Sequence, residues 1–277
     1  MALTNFIPTV WSETLYQALD KEYIAVKNCS RDFEGDIKSL GDTVKILGVS
    51  PISVFDYVKN TDMENPEELS DSVRLLTVNR AKAFNFAIDD VDKAQSMPKL
   101  MQEAMRLAAS ALANEADKYV FGLYSEIDEG QTVTVSALNS SGVVDWLLGV
   151  RQKLLEANVP GNEDIILEVS PAVAAKIVKA KIITGTNNES ELEKGCIGNF
   201  MGFKIFVSNN VENVSGAYKC YARTKRAITF AEQINEIEAY RPELRFADAV
   251  KGLHLYGAKI VYPEELVLCN VTVTEEA

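Results

Sequence analysis

Residues 53–89 read SVFDYVKNTDMENPEELSDSVRLLTVNRAKAFNFAID, two β-rich arms around an acidic tip. The return arm, residues 72–88, contains neither Gly nor Pro, and at ~3.3 Å per residue it would extend over roughly 50 Å. Ordinary strands run to about 5–6 residues, so this arm must bend or project beyond its own domain. One face carries Arg74, Leu76, Val78, Arg80, Lys82, Phe84, Phe86 and Ile88, turning from mixed charge near the tip to apolar near the base. The base is built to pack at home, whereas the tip is not.

Outward from this hairpin the chain is ordered and varied. Upstream, an irregular lead gives way to SETLYQALDKEYIAV, with Ser12 as N-cap and Leu15, Leu19, Tyr23 and Val26 at helical spacing. GDTVKILGV then reads as a strand after a Gly41-Asp42 turn. Downstream, Pro98 opens a helix whose stripe is Met101, Ala104, Met105, Ala108, Ala111, Leu112 and Tyr119, closing at Gly122. About 24 residues give a rod of roughly 36 Å. Its small side chains let neighbours approach closely.

From Ser140 short elements alternate. SSGVVDWLLGVRQKLLEANVPG predicts a helix with Val144, Leu147, Leu148, Leu154 and Leu155 on one side, stopped at Pro160. DIILEV is a buried-type strand, and Ser170 and Pro171 open the next helix. A polar loop leads into FMGFKIFVSNN, whose Phe203, Ile205 and Val207 share a face, and AYKCYA, AITFAE and IEAYR continue as short strands. LHLYGAKIVY and LVLCNVTV close the chain as strands around a Pro-Glu-Glu turn.

Composition narrows the function. A chain of 277 residues with 47% hydrophobic and 25% charged residues folds around a real core. The net charge of −12 argues against a chain whose main task is gripping nucleic-acid phosphates. The start, MALTNFIPTVW, has no basic lead and no apolar run of signal-peptide length, and no apolar stretch reaches transmembrane length, so a soluble protein made in the cytoplasm is expected. Cys29, Cys196, Cys220 and Cys269 stand far apart without a C-x-x-C pair, which predicts reduced core thiols and no zinc site.

Chemistry is hard to find. The single histidine, His254, lies within an apparent strand without a nucleophile elbow, so a packed or hydrogen-bonded sheet histidine is expected and a small-substrate hydrolase using it is the weaker alternative. GCIGNFMG matches neither phosphate-binding glycine pattern and reads as a turn. DMENPEELSD lacks calcium-loop spacing and reads as a solvated tip. ARTKR, residues 222–226, is a compact basic cluster, either a contact for phosphate or carboxylates or a solvated turn. No catalytic, cofactor-binding or metal-binding residues are assigned. Long arms, a long helix and no convergent site suit a chain built to contact other chains.

The opening TNFIPTVWSETLYQALDK, the stretch RDFEGDIKSLGDTVKI, the hairpin, the helix, NVPG, GNFMGFKIFVSNNV and above all AITFAEQINEIEAYRPELRFADAVKGLHLYGAKIVYPE resemble tailed-bacteriophage major capsid proteins of the Hong Kong 97-type fold. The resemblance spans nearly the whole chain. It implies an α+β fold with an N-terminal arm at 1–47, an E-loop hairpin at 48–88, a peripheral domain with a long spine helix at 89–141, an axial domain at 142–238 and a return to the peripheral domain at 239–277. It further implies a structural virion protein, not an enzyme, that self-assembles into pentamers and hexamers in the host bacterial cytoplasm. Its partners would be other copies, portal and scaffolding proteins, and packaged DNA by weak nonspecific contact, with no cofactor and no membrane. The shell of an encapsulin-like nanocompartment shares the fold and is the alternative. Some relatives weld subunits through an E-loop lysine, and Lys59 is the lysine before the tip; no acceptor is identifiable, so that role is not carried over.

Overall fold

The computed structural model describes residues 15, 23–33, 41–49, 59, 71–89, 100–159, 163–183, 196–244 and 246–274. The hairpin tip, most of the N-terminal lead and most of the helix expected there lie outside them; of that helix's stripe Leu15 is helical, Tyr23 is not, and Val26 opens a 3-10 turn. Strands β1 (Thr43–Val49) and β2 (Asp71–Thr77) form the hairpin base, paired antiparallel from Thr43↔Thr77 to Val49↔Asp71. The long return arm is not one strand. Val78 turns inward, its N–H donating to the Asp42 carbonyl and its carbonyl accepting from Gly41, and the chain resumes as β3 (Arg80–Asp89) in a different sheet. The arm bends because the buried pair Leu76 and Val78 sinks into a small core with Ile46, Ala231, Leu255 and Val261.

Helix α1 (Leu100–Gly122) buries Met105, Ala109, Leu112, Ala113, Ala116, Val120 and Phe121. Its apolar face is rotated from the expected stripe, since Ala111 is exposed and Ala109 and Ala113 face inward. After β4 (Thr132–Leu138), helix α2 (Val143–Glu156) buries Val143, Trp146, Leu147, Val150 and Leu154. Leu148 and Leu155, expected on its inner side, are each about half exposed. Next come β5 (Ile165–Val169), fully buried, and α3 (Pro171–Ile183), with the Ser170 hydroxyl accepting from the Val173 N–H at 3.4 Å.

Strands β6 (Cys196–Phe200) and β7 (Phe203–Val207) flank a two-residue turn in which Met201 and Gly202 have φ of 53° and 85°. That left-handed geometry suits a tight hairpin and explains the glycine of GNFMG. The short β8 (Asn213–Val214) then pairs with β9 (Ala217–Arg223). The remaining strands are longer than their sequence suggests: AITFAE and IEAYR are one strand, β10 (Ile228–Tyr240), and LHLYGAKI is part of β11 (Ala247–Ile260). β12 (Leu266–Val273) ends the described chain.

Two layers result. α1 lies on a sheet ordered β10-β11-β3, while α2 and α3 pack on a larger sheet ordered β4-β12-β9-β5-β7-β6, parallel at β4/β12 and β5/β7. Sheet membership cuts the chain elsewhere than the segment boundaries expected from sequence. β4 and β12 lie with the strands of 142–238, whereas β10 leaves that group at Ile228.

Candidate functional site

The side chains that could do chemistry are turned inward. His254 on β11 is 1% exposed, with Nε2 2.9 Å from Oε2 of Glu232 on β10. The same oxygen accepts the Tyr23 hydroxyl, and Arg31 Nη2 stands 3.3 Å from Oε1. Burial, then the Glu232 charge, pushes the Tyr23 phenol far above its ordinary range. The ring thus serves a buried network joining two strands to residues 23–31, as a hydrogen-bonded sheet histidine does. Among the described residues no three His, Cys, Asp or Glu side chains gather to hold a metal ion. Cys29, Cys220 and Cys269 are buried and unbridged, and burial lifts the Cys29 thiol to about 11 and Cys220 to about 12. Such thiols are poor nucleophiles. The Cys196 side chain lies outside the described residues.

Residues 23–31 form the second feature, where the N-terminal segment enters the body. A single 3-10 turn, Val26–Asn28, has no cap of its own. Asp117 of α1 supplies one from a distance: Oδ1 accepts the Ala25 and Val26 N–H groups and Oδ2 that of Ile24, all at 3.0 Å. This satisfies donors that a helix start leaves orphaned. Burial raises the Asp117 carboxyl to about 6 against the lowering pull of those amides.

Arg223, at the end of β9 and fully buried, holds the same turn from the other side. Its Nε and Nη2 donate to Glu168 at 3.0 and 2.9 Å, Nη1 to the Asn28 carbonyl at 2.6 Å and Nη2 to the Ala25 carbonyl at 3.0 Å. Asn28 Nδ2 adds 3.0 Å to Glu168 Oε1. The basic cluster ARTKR is therefore split. Arg223 is an internal anchor, and half-exposed Arg226 pairs with Glu265 and, at 3.5 Å, with Glu163. The sequence marks Arg223 only within the ARTKR cluster and gives no sign of Asp117 or Glu232, whereas a glutamate inside the apolar run IILEV is a signal that a buried partner exists for Glu168.

The hairpin base is fixed firmly. Arg74 donates to the Val261 carbonyl, and Gly257 of β11 passes so close to Thr77 that an added Cβ would sit 2.4 Å from its carbonyl oxygen. Lys59 is exposed near the tip. Apolar groups remain uncovered elsewhere: Leu244 at 96% and Phe246 at 85% in the β10–β11 turn, with Leu148 and Leu155 on α2. Among the described residues no helix is long and apolar enough to cross a membrane.

No protein-family model and no curated protein matches the chain. Solved structures do. A Mycobacterium phage Che8 structure aligns at 27% identity and TM-score 0.72, over 90% of this chain and 91% of that one. The capsid of cyanophage P-SCSP1u aligns at 13% identity and TM-score 0.67, over 86% and 85%. The SrpI encapsulin complex of Synechococcus elongatus PCC 7942 aligns at 12% identity and TM-score 0.61, over 87% and 88%. From the bent hairpin to the spine helix and the paired sheets, the chain has the Hong Kong 97-type major capsid protein fold.

Proposed function

We propose that this chain is the major capsid protein of a tailed bacteriophage, a structural subunit that assembles into pentamers and hexamers and closes an icosahedral shell around double-stranded DNA. The observation that carries the reading is the Che8 likeness, 27% identity and TM-score 0.72 over nine-tenths of both chains. The layer of α1 with β10, β11 and β3 serves as peripheral domain, and the larger sheet with α2 and α3 as axial domain. The hairpin of β1 and β2 is the E-loop, its base fixed at home and its tip reaching a neighbour. Leu244 and Phe246 suit a contact between copies, since apolar groups this exposed gain from burial. The subunit has no enzymatic role, and portal and scaffolding proteins are its further partners. The net charge of −12 leaves packaged DNA only weakly and nonspecifically held.

Likeness to the SrpI encapsulin favours a second reading, the shell of a protein nanocompartment, at lower identity and TM-score. Particles purified from the native source separate the two. Nuclease-protected double-stranded DNA inside supports the phage capsid, and an enclosed enzyme without DNA supports the compartment.

A further inference from the structure

Strands β9 to β12 form one long antiparallel ribbon, because β9 pairs with β12 and β10 with β11 while the connections are single 3-10 turns at Lys225–Ala227 and Pro263–Glu265. Both limbs are interrupted at the same level. This elbow is where the ribbon passes from the larger sheet to the smaller one. Ladder pairing gives way there to a few bonds: Val261 and Tyr262 N–H to the Ala227 carbonyl at 2.9 and 3.2 Å, and Thr224 N–H to the Glu265 carbonyl at 3.2 Å.

Residues 25–30 lie across that elbow. The Ala25 and Asn28 carbonyls accept from Arg223, the last residue before it. Ser30 donates its N–H to the Ile228 carbonyl and accepts from the Phe230 N–H, both at 2.9 Å, just beyond it. Asp117 fixes the start of the same segment to α1. We propose that residues 25–30 are a splint that sets the angle between the two sheets and resists bending at the elbow. The sheets cannot swing without breaking hydrogen bonds on one side of the splint. This inference rests on the hydrogen-bond geometry and not on the shell reading, and it is tested on unassembled full-length protein.

The experiment is amide hydrogen exchange on Asp117→Asn, which leaves the Ile24 N–H without its acceptor, and on Tyr23→Phe, which removes one hydroxyl and keeps the test available should the first variant fail to fold. The expected result is exchange at Val261 and Tyr262 faster by roughly tenfold or more, with mid-strand amides such as Leu255 in β11 and Cys269 in β12 at wild-type rates. Faster exchange confined to residues 24–26 overturns the proposal. So does a uniform rise across both sheets, which would make the segment a general stability contact.

Discussion

Replacing Arg223 by methionine removes a guanidinium that is fully buried between the end of β9 and residues 25–29. It leaves the Glu168 carboxylate, also fully buried, with Asn28 Nδ2 as its remaining hydrogen-bond donor, and it strips the Ala25 and Asn28 carbonyls of a donor. Breaking a buried pair from one side costs about 3–5 kcal/mol because an uncompensated charge stays behind. At roughly 2–4 °C per kcal/mol for a domain of about this size, Tm falls by roughly 6–20 °C. Glu168→Leu alone strands the guanidinium and costs a similar amount. The double variant removes both charges, so its loss is smaller than the sum of the singles, with a coupling of about 2 kcal/mol or more. It does not return to wild type, since the Ala25 and Asn28 carbonyls each still lack the donor that Arg223 supplied. Urea unfolding of the full chain and its three variants supplies the cycle. Additive losses, or an Arg223→Met cost below about 1 kcal/mol, would refute the claim that this ion pair locks the arm root.

Asp117 makes a pH prediction of defined sign. Its folded value of about 6 lies above the ordinary 3.8 of an exposed aspartate, so the folded state binds the extra proton. The group's favourable contribution is complete below about 4 and is lost as pH rises through about 6. The stability of wild type relative to Asp117→Asn should therefore fall between pH 4 and 7, and a flat difference would contradict it. Gly257→Ala should destabilise by about 1–3 kcal/mol, since the new methyl meets backbone at Thr77 and Val78 and not a movable side chain; an unchanged urea midpoint would show that the hairpin base is loosely seated. Phe246→Ser should change stability by less than about 0.5 kcal/mol while impairing assembly, as the residue is 85% exposed; unimpaired shells would show that the β10–β11 turn makes no contact between copies. Deleting residues 60–71 should leave folding intact and abolish assembly, read by calorimetry beside electron microscopy; normal shells, or a chain that cannot fold, would sink the intersubunit role of the hairpin.

What the sequence disclosed was periodic. The spine helix ended at Gly122 as its stripe indicated, and DIILEVSP announced a strand-to-helix step because Ser170 and Pro171 punctuate it. The order of segments revealed the fold, since long strings such as EAYRPELRFADAVKGLHLYGAK carry more information than any single element. Long-range polar contacts stayed hidden. Nothing local to Asp117 says that it caps a turn 91 residues away in sequence, and Arg223 resembles a surface cation until Glu168 is placed opposite it. The inner face of α2 differs from its apolar pattern because Leu148 and Leu155 are apolar yet half exposed. Hydrophobicity alone does not separate a core position from one awaiting a partner. The single strand β10 looks like two in the sequence because the polar stretch EQINE interrupts its alternation, near a register shift at Ile234/Glu236.

A major capsid subunit must build a closed shell. Electron microscopy of the purified protein, alone and with a molecular crowder, puts this to the test. The expected result is closed icosahedral particles whose capsomers resolve as pentamers and hexamers, with the β1–β2 hairpin of each subunit lying over its neighbour. A protein that stays monomeric under every assembly condition, or that forms particles in which the hairpin touches only its own subunit, would contradict it.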